Sequence, residues 1–385
     1  MKILYIDYNM YGKDDIIEAM YNLGHIVEVE TAPLTLESRP EELRERLMAR
    51  LKCGYDAVFT SNYYSLVSEC CKVYNIEYYS WTYDSPRIAL YDASIMNSIN
   101  NIFVFDSFEV ERLRMAGVNA HYMPLAVNPK RLEVISINSE DRVRFLADVS
   151  MVASLYNEDH NLFDRLEKKI NEYSQGYLWG AMLAQENLFG AFILEEILQQ
   201  NEWVLDDIRS AMSYKTSEGS LTSDIYVYAN YFLARKVAEL QRLKFIDKIS
   251  KIYQMKIYTS GDVSNIGTAI SMGAVDYLTD MNKVFQLSKV NLNITLPSIH
   301  TGIPLRAMDI MGAGGFLLTN YQADFERHFE AGTDYVYYTS LEDAICLIDY
   351  YLSHDEERNK IAMNGCRKVR EQYSYENMLS KMLVL

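Results

Sequence analysis

The sequence has few of the residues that mark disulfide-bonded, metal-binding or membrane-spanning proteins. It contains five cysteines in 385 residues, without a Cys-x-x-Cys pair, so neither a disulfide framework nor a zinc site is expected. No apolar run approaches the ~20 residues that a membrane-spanning helix needs. The first residues, MKILYIDYN, enter a strand pattern directly, without a signal peptide. We therefore expect a cytoplasmic protein with no transmembrane segment and no metal.

Basic charge is also scarce. The chain has 37 Lys and Arg against 53 Asp and Glu, a formal net charge of −16, which makes nucleic acid and anionic membrane surfaces poor partners. It lacks Gly-x-Gly-x-x-Gly, so a nicotinamide or flavin dinucleotide is not expected. With seven prolines and 49% hydrophobic residues the chain is globular, and its length suits two domains of roughly 150 to 200 residues each.

Short apolar strands alternate with helical patterns along the chain, which predicts an α/β fold with parallel sheets. Strand, helix, strand patterns run from Lys2 to about residue 135 and predict an N-terminal Rossmann-like domain. A polar stretch, 128–144, predicts a linker. Residues 145–370 predict a second Rossmann-like domain, with a helical insertion of about four helices at 157–251, and 371–385 predict a C-terminal helix.

Residues 291–325 are the most informative stretch, NLNITLPSIHTGIPLRAMDIMGAGGFLLTNYQADF. They predict a buried strand, a loop, a helix with Pro304 as its first residue, and a second strand. Such a loop delivers the free N–H groups of Gly302 and Ile303 to a helix N-terminus, where the helix dipole favours an anion. The pattern predicts a phosphate site.

Two charged residues follow on one face of this helix. Arg306 lies in the first turn, where a cation is disfavoured unless a bound anion pairs with it. Asp309 is one turn further on and could accept hydrogen bonds from both hydroxyls of a ribose. Together they indicate a nucleotide. The alternative is that the two residues merely form an i,i+3 ion pair on a solvated face.

The segment TGIPLRAMDIMGAGGFLLTN resembles the donor site of glycosyltransferases of the GT-B fold, specifically the CgeB-like (spore maturation) bacterial branch, with a glycosyl transferase family 1/4-like C-terminal domain. WTYDSP, MPLA and VASLY resemble further motifs of this branch. The resemblance implies two Rossmann-like domains with parallel sheets facing an interdomain cleft. It also implies that the C-terminal helix crosses back to the N-terminal domain.

The resemblance further implies transfer of a sugar from a nucleotide diphosphate sugar, with a UDP-sugar favoured, to a glycan, protein or small-molecule acceptor. No cofactor or metal ion is expected. Donor-binding residues carried over from the family are Ser154, Gly261, Thr301, Gly302, Ile303, Arg306 and Asp309. Thr301 stands where relatives have a glutamate that contacts the sugar, and Ala153 stands where they have a glycine near the donor phosphates.

For catalysis, Arg306 would stabilise the leaving diphosphate, and His300 would contact the donor sugar or diphosphate or simply line the loop. An inverting route also needs a general base, for which Asp84 is the first candidate and Asp106 the second. Both follow predicted strands, and either could equally cap a turn. A retaining route would need no base. His25 is expected to pack locally.

Two other functions remain open. A catalytically degenerate GT-B subunit that stabilises a partner glycosyltransferase would fit the changes at Thr301 and Ala153. A nucleotide-sugar epimerase would share the fold but use no acceptor. The sequence leaves the acceptor, the stereochemistry and the oligomeric state undetermined.

Overall fold

The computed structural model describes residues 1–32, 40–158 and 161–384. The chain forms two compact units. Unit 1 comprises Met1–Asn128, Ser217–Thr222 and Gln372–Leu385, and unit 2 comprises Pro129–Thr216 and Ser223–Glu371. Each unit contains a six-stranded parallel sheet, which confirms the predicted α/β class.

The sheet of unit 1 has the strand order β2-β1-β3-β4-β5-β6. Its strands are β1 Lys2–Asp7, β2 Ile26–Thr31, β3 Ala57–Ser61, β4 Glu77–Thr82, β5 Asn100–Val104 and β6 Ala120–Tyr122. The helices between them are α1 Lys13–Asn22, α2 Pro40–Leu51, α3 Ser65–Tyr74 and α4 Ser107–Met115. Every residue of β3 and β5 is buried, as expected for central strands covered on both faces.

The sheet of unit 2 has the strand order β12-β11-β10-β7-β8-β9. Its strands are β7 Ala147–Val152, β8 Met255–Tyr258, β9 Ile270–Ser271, β10 Ser288–Asn293, β11 Leu317–Asn320 and β12 Val336–Tyr338. β7 and β10 are adjacent and central, so the loops that follow them lie side by side at the carboxyl edge of the sheet. Ligands bind at that edge in open parallel sheets.

Helices before β8 in unit 2 are α5 Pro129–Glu133, α6 Ser139–Phe145, α7 Leu162–Glu167, α8 Glu172–Glu186, α9 Leu194–Gln200, α10 Glu202–Ala211, α11 Asp224–Val227 and α12 Ala234–Ser250. A π-helical turn, Tyr228–Leu233, leads into α12. Later helices are α13 Asp280–Leu287, α14 Leu305–Gly312, α15 Phe325–His328, α16 Leu341–Ser353 and α17 Asp355–Gln372.

The C-terminal segment of the chain belongs to unit 1. It ends in α18 Tyr375–Met382, which packs against α1. Backbone hydrogen bonds join it to the chain that follows β6, from Val127 N to Tyr373 O at 3.0 Å and from Tyr375 N to Val127 O at 3.2 Å. No helix in the described ranges is both long and apolar enough to cross a bilayer.

Several local predictions were wrong. The stretch predicted as a linker forms α5 and α6, and α6 begins with a reciprocal capping box between Asn138 and Asp141. Pro304 is the N-cap of α14 rather than its first helical residue, with the extended ψ of 152°. Residues 341–365 carry one continuous helical pattern, which predicts a single helix, but the structure breaks it at His354 into α16 and α17. The predicted insertion contains more than four helices within the described residues.

Candidate functional site

The loop from β10 to α14, residues 294–304, is fixed to the chain that follows β11. Gln322 Nε2 donates to Ile299 O at 3.1 Å. Asp324 N donates to Thr301 O at 3.0 Å, and the Thr301 hydroxyl donates to Asp324 Oδ2 at 3.2 Å. The loop is therefore held rigidly at the carboxyl edge of the sheet, and the hydroxyl of Thr301 takes part in holding it.

The same loop presents unused backbone donors at the start of α14. Among the described residues, the N–H groups of Gly302, Ile303 and Leu305 have no hydrogen-bond acceptor, and Pro304 has no N–H. The N-terminal end of the helix dipole adds partial positive charge at this point. The structure thus brings together the elements of the predicted anion site.

Arg306 and Asp309 contact each other directly. Arg306 Nη1 lies 3.7 Å from Asp309 Oδ2 and contacts the sulfur of Met281. Asp309 is only 5% exposed, and its Oδ1 accepts a hydrogen bond of 3.2 Å from the Tyr277 hydroxyl. The i,i+3 pair exists, but it is half-buried against α13 rather than placed on a solvated face.

The loops after β7 and β8 lie against each other. Asn157 Nδ2 donates to Asp262 O at 2.7 Å, and a Cβ on Gly261 would lie 2.7 Å from Asn157 Oδ1, so a larger residue there would require the Asn157 side chain to shift. Ser154 Oγ donates to Glu158 at 3.1 Å and accepts the N–H of Tyr156 at 3.1 Å. The structure therefore places Ser154 and Gly261 on neighbouring loops.

Arg242 of α12 joins the β7 loop to the β10 loop. Its Nη1 donates to Ser154 O, and its Nη2 donates to Ile294 O at 2.7 Å. The guanidinium lies 4.7 Å from the centre of the Tyr156 ring. Burial lowers its pKa from the usual value, because desolvation disfavours the charged form. Sequence reasoning missed Arg242, although a cation on the apolar face of a helix was a usable signal.

A second arginine of α12 was also missed. Arg235 lies 6.0 Å from the Tyr156 ring and 5.4 Å from the Tyr231 ring, immediately after the π-helical turn. It makes no ion pair with a described carboxylate, and its Nε is buried without an acceptor. An arginine without a counterion beside the β7 loop adds positive potential there.

His300 lies within the loop from β10 to α14, before the N-cap residue Pro304. Its ring is 4.9 Å from that of Phe192, in the connection between α8 and α9. It lines a pocket with residues of the helical insertion. His300 therefore lies between this pocket and the start of α14.

In unit 1, Asp84 follows β4 and is exposed. Its Oδ2 accepts a hydrogen bond of 2.7 Å from Asn62 Nδ2, while Asn62 Oδ1 accepts the N–H groups of Tyr83 and Asp84 at 2.8 and 3.0 Å. Asn62 is fully buried and has φ 69°, so it is held firmly in place. This amide fixes the orientation of the Asp84 carboxylate.

The other unit 1 candidates have structural contacts. Asp106 is 2% exposed and accepts the N–H of Phe108 at 3.0 Å, which makes it the N-cap of α4. His25 precedes β2 at the amino edge of the sheet and lies 3.3 Å from the N-terminal amine. Burial, with that amine as a smaller cause, lowers the pKa of His25. Asp106 thus caps a helix at the carboxyl edge of the sheet, and His25 packs locally at the opposite edge.

Comparisons with known proteins agree with this architecture. A family model described as "Glycosyl transferase-like" matches residues 240–384, which include α14 and its loop. Sucrose-phosphate synthase from Thermosynechococcus elongatus superposes with a TM-score of 0.58 at 11% identity, covering 100% of this chain and 98% of that one. Curated protein sequences give no match.

Two further solved structures contain a nucleotide sugar. HepE from Anabaena in complex with UDP-glucose has a TM-score of 0.55 at 8% identity, covering 100% of this chain and 98% of that one. T4 phage BGT in complex with its UDP-glucose substrate has a TM-score of 0.50 at 10% identity, covering 100% of both chains. At these identities the likeness concerns the fold alone. The chain has a GT-B-type fold, and its C-terminal part matches a glycosyltransferase-like family model.

Proposed function

We propose that this protein transfers a sugar from a nucleotide diphosphate sugar to an acceptor hydroxyl. The observation that carries the proposal is the loop entering α14, where the N–H groups of Gly302, Ile303 and Leu305 are unused at the carboxyl edge of a parallel sheet. This geometry suits the diphosphate of a donor. It lies within the segment that the family model matches.

Charge on the leaving diphosphate would be stabilised by fixed protein donors rather than by a metal ion. The α14 N–H groups would bind the phosphate oxygens, and Arg306 would turn from Asp309 toward them. Arg235, which lacks a described carboxylate partner, would add positive potential. Fixed donors aimed at developing charge are usually the largest single catalytic contribution.

Asp309 would hold the ribose, with the ribose hydroxyls replacing the Tyr277 hydroxyl on its carboxylate. Asp84, oriented by Asn62, would remove the proton from the acceptor hydroxyl in an inverting reaction.

We favour a UDP-sugar as donor, since HepE and T4 phage BGT were both solved with UDP-glucose. Assignment to the CgeB-like branch and a cytoplasmic location are part of the same proposal.

The test is donor turnover by the purified protein. UDP-, GDP- and dTDP-sugars are incubated for hours with and without EDTA, and free nucleotide is measured for the wild type, Arg306→Ala and Asp309→Ala. We expect slow release from one donor, unaffected by EDTA and lost in both variants. Absence of release together with absence of thermal stabilisation by any nucleotide would overturn the proposal.

A degenerate subunit that stabilises a partner glycosyltransferase is the second candidate. It is favoured by the engagement of Thr301 with Asp324, and of Asp309 with both Tyr277 and Arg306, which leaves fewer groups available to a donor. This function predicts that Asp309→Ala still stabilises the partner. Transfer activity predicts instead that this variant is inactive.

A further inference from the structure

One arginine at the carboxyl edge of the unit 1 sheet has no carboxylate partner within the described part of the chain. Arg87 lies three residues after Asp84, in the segment that leaves β4, and its side chain is half-buried. The chain has 53 acidic side chains against 37 basic ones, so partners for an arginine are plentiful. A charged side chain that is partly removed from water normally pairs with an opposite charge. The positive charge of Arg87 is therefore available to an anion.

Neighbouring residues hold the Arg87 guanidinium in place without neutralising it. Its Nη2 donates to Tyr63 O at 3.2 Å, and the guanidinium lies 4.8 Å from the centre of the Tyr64 ring. The Tyr64 ring is stacked on that of Tyr8, which follows β1, with 3.6 Å between the ring centres. The Nε atom is buried and has no acceptor among the described residues. A fixed guanidinium with unused donors has the features of a preorganised anion site.

Asp84 and Arg87 carry opposite charges on one short segment, yet they make no ion pair with each other. Asn62 donates to the Asp84 carboxylate, whereas the carbonyl of the next residue, Tyr63, accepts from Arg87. The chain that follows β3 thus fixes both charges and keeps them apart. Two such groups can act on different parts of one ligand, because the carboxylate accepts a proton from a hydroxyl while the guanidinium binds an anionic group.

A purely structural role explains less of this arrangement. Support of Tyr63 O requires a single N–H donor, and coverage of the Tyr64 ring requires only an apolar stem. Neither requires a positive charge at the edge of the sheet where ligands bind. The charge and the remaining donors of Arg87 are accounted for by an anionic ligand.

We propose that the acceptor carries an anionic group, a carboxylate or a phosphate, which Arg87 binds while Asp84 accepts the proton of the acceptor hydroxyl. The inference rests on the proposed transfer function and adds the chemical class of its acceptor. Paired oxygens of a carboxylate or phosphate match the planar fork of a guanidinium. The anionic group takes no part in the bond changes. The acceptor oxygen bonds to the anomeric carbon of the donor, the bond from that carbon to the diphosphate breaks, and the hydroxyl proton passes to Asp84.

Titration with inorganic phosphate and with acetate tests the anion site directly. The Nε–H of Arg87 is buried, so it should be visible in proton–nitrogen NMR spectra, and its signal is assigned by its absence in Arg87→Met. The Nε–H of Arg50 is also buried, but Arg50 is ion-paired with Glu28 and Glu30, so it serves as the internal control. We expect a saturable shift of the Arg87 signal and an unchanged Arg50 signal. Absence of a saturable shift at Arg87 with both anions would overturn the inference.

Sugars that differ by one charged group test the acceptor class. Saturation-transfer NMR compares glucose, glucuronate and glucose 6-phosphate on the wild type, Arg87→Met, Arg87→Lys and the control Arg50→Met. Methionine keeps a stem over the Tyr64 ring but removes the charge. We expect Arg87→Met to bind the charged sugars about 10- to 100-fold more weakly than the wild type does. Arg87→Lys should keep part of the affinity, because it keeps the charge but loses the fork. Arg50→Met should match the wild type, and glucose should not distinguish the variants.

The outcomes separate the two anionic groups. Tighter binding of glucuronate than of glucose 6-phosphate identifies a carboxylate, and the reverse order identifies a phosphate. A shift of the Arg87 signal in a protein that binds neither charged sugar would support the anionic class and exclude a hexose as its carrier. Equal binding of the charged sugars by the wild type and Arg87→Met would overturn the inference.

Donor turnover separates this inference from the proposed function. Anion binding at Arg87 in a protein that releases nucleotide from no donor would support the anion site and contradict sugar transfer. Nucleotide release that a neutral acceptor stimulates equally in the wild type and Arg87→Met would overturn the inference and leave the transfer function intact.

Discussion

The carboxyl edges of the two sheets carry aspartates in opposite situations. Asp84 in unit 1 is exposed, and one of its oxygens accepts a hydrogen bond from Asn62 while the other has no partner in the described part of the chain. Asp309 in unit 2 is 5% exposed, and its two oxygens contact Tyr277 and Arg306. The aspartate in unit 1 thus has a described partner for one carboxylate oxygen, whereas the aspartate in unit 2 has partners for both.

The difference separates two possible roles for a carboxylate. An exposed carboxylate with one fixed oxygen can accept a proton without rearrangement of the protein. A buried carboxylate whose oxygens already contact protein groups can bind a ligand only if ligand hydroxyls replace those partners, at little net energetic change. We therefore expect substitutions of Asp84 to affect rate, and substitutions of Asp309 to affect binding.

The largest expected effect is that of Asp84→Asn. The amide keeps the shape of the side chain and can still accept from Asn62, but it cannot take a proton. We expect kcat for nucleotide release to fall by about 10²- to 10⁴-fold, the usual contribution of a general base, with the KM for donor unchanged. Steady-state kinetics with the donor identified by the turnover assay provides the measurement.

Asp106→Asn is the matched control, since asparagine also caps helices well and α4 should remain intact. The control should retain wild-type kcat. An unchanged kcat in Asp84→Asn would indicate a retaining mechanism. Equal losses of kcat in the two variants would indicate a structural role for Asp84.

The second prediction concerns Asp309 and nucleotide affinity. If ribose hydroxyls donate to this carboxylate, Asp309→Ala should weaken UDP binding by about 10- to 100-fold, which corresponds to hydrogen bonds to a charged group of about 1.5–3 kcal/mol. Calorimetry with UDP and with its 2′,3′-dideoxy analogue provides the measurement. The wild type should prefer UDP, and the variant should bind both equally. A variant that kept the preference would show that Asp309 does not contact the ribose.

Patterns within single elements predicted much of the fold. The strands of both sheets and α14 follow from apolar alternation and helical periodicity, and the alternation of the two predicts parallel sheets. The break between α16 and α17 at His354 was missed because residues 341–365 carry one continuous helical pattern. Local periodicity does not reveal a break of one residue between two consecutive helices.

The candidate site was predicted only where its residues are close in sequence. Gly302, Arg306 and Asp309 lie within one strand, loop and helix, so their spacing in the sequence was enough to predict that they lie close together. Arg242 reaches its partners Ser154 and Ile294 across 88 and 52 residues of chain, and no local pattern reports such a contact. Contacts across the fold depend on how the insertion packs, which periodicity does not specify.

The third prediction tests whether Arg242 fixes the carboxyl edge of unit 2, as Asn62 fixes Asp84 in unit 1. Arg242→Met keeps the packing volume but leaves the carbonyl oxygens of Ser154 and Ile294 without this donor. We expect a loss of about 1–3 kcal/mol in the free energy of unfolding, measured by urea denaturation. Arg44→Met, at a side chain that is 38% exposed, should cost about 0.5 kcal/mol or less. Equal stability of Arg242→Met and the wild type would show that the buried charge contributes no net stability.

The smallest effect is a difference in acid sensitivity between the units. Burial lowers the pKa of His121 in unit 1 below its usual 6.5, with Arg114 as a smaller cause, and burial lowers that of His25 as well. Unfolded unit 1 therefore takes up protons near pH 6.5 that the folded unit does not. The stability of unit 1 falls as the pH drops from about 7 through the lowered pKa values.

In unit 2, the backbone N–H of Asn138 and the ammonium of Lys283 hold the pKa of Asp141 below its usual 3.8. The stabilisation by Asp141 is present above the unfolded pKa and is lost as the pH falls through the folded value, so it persists at pH 5. Hydrogen exchange, corrected for its intrinsic pH dependence, should show unit 1 losing protection between pH 7 and pH 5 while unit 2 keeps it. His121→Gln should reduce that loss, because glutamine does not titrate. Earlier loss of protection in unit 2 would mean that groups other than these histidines and Asp141 control the acid response.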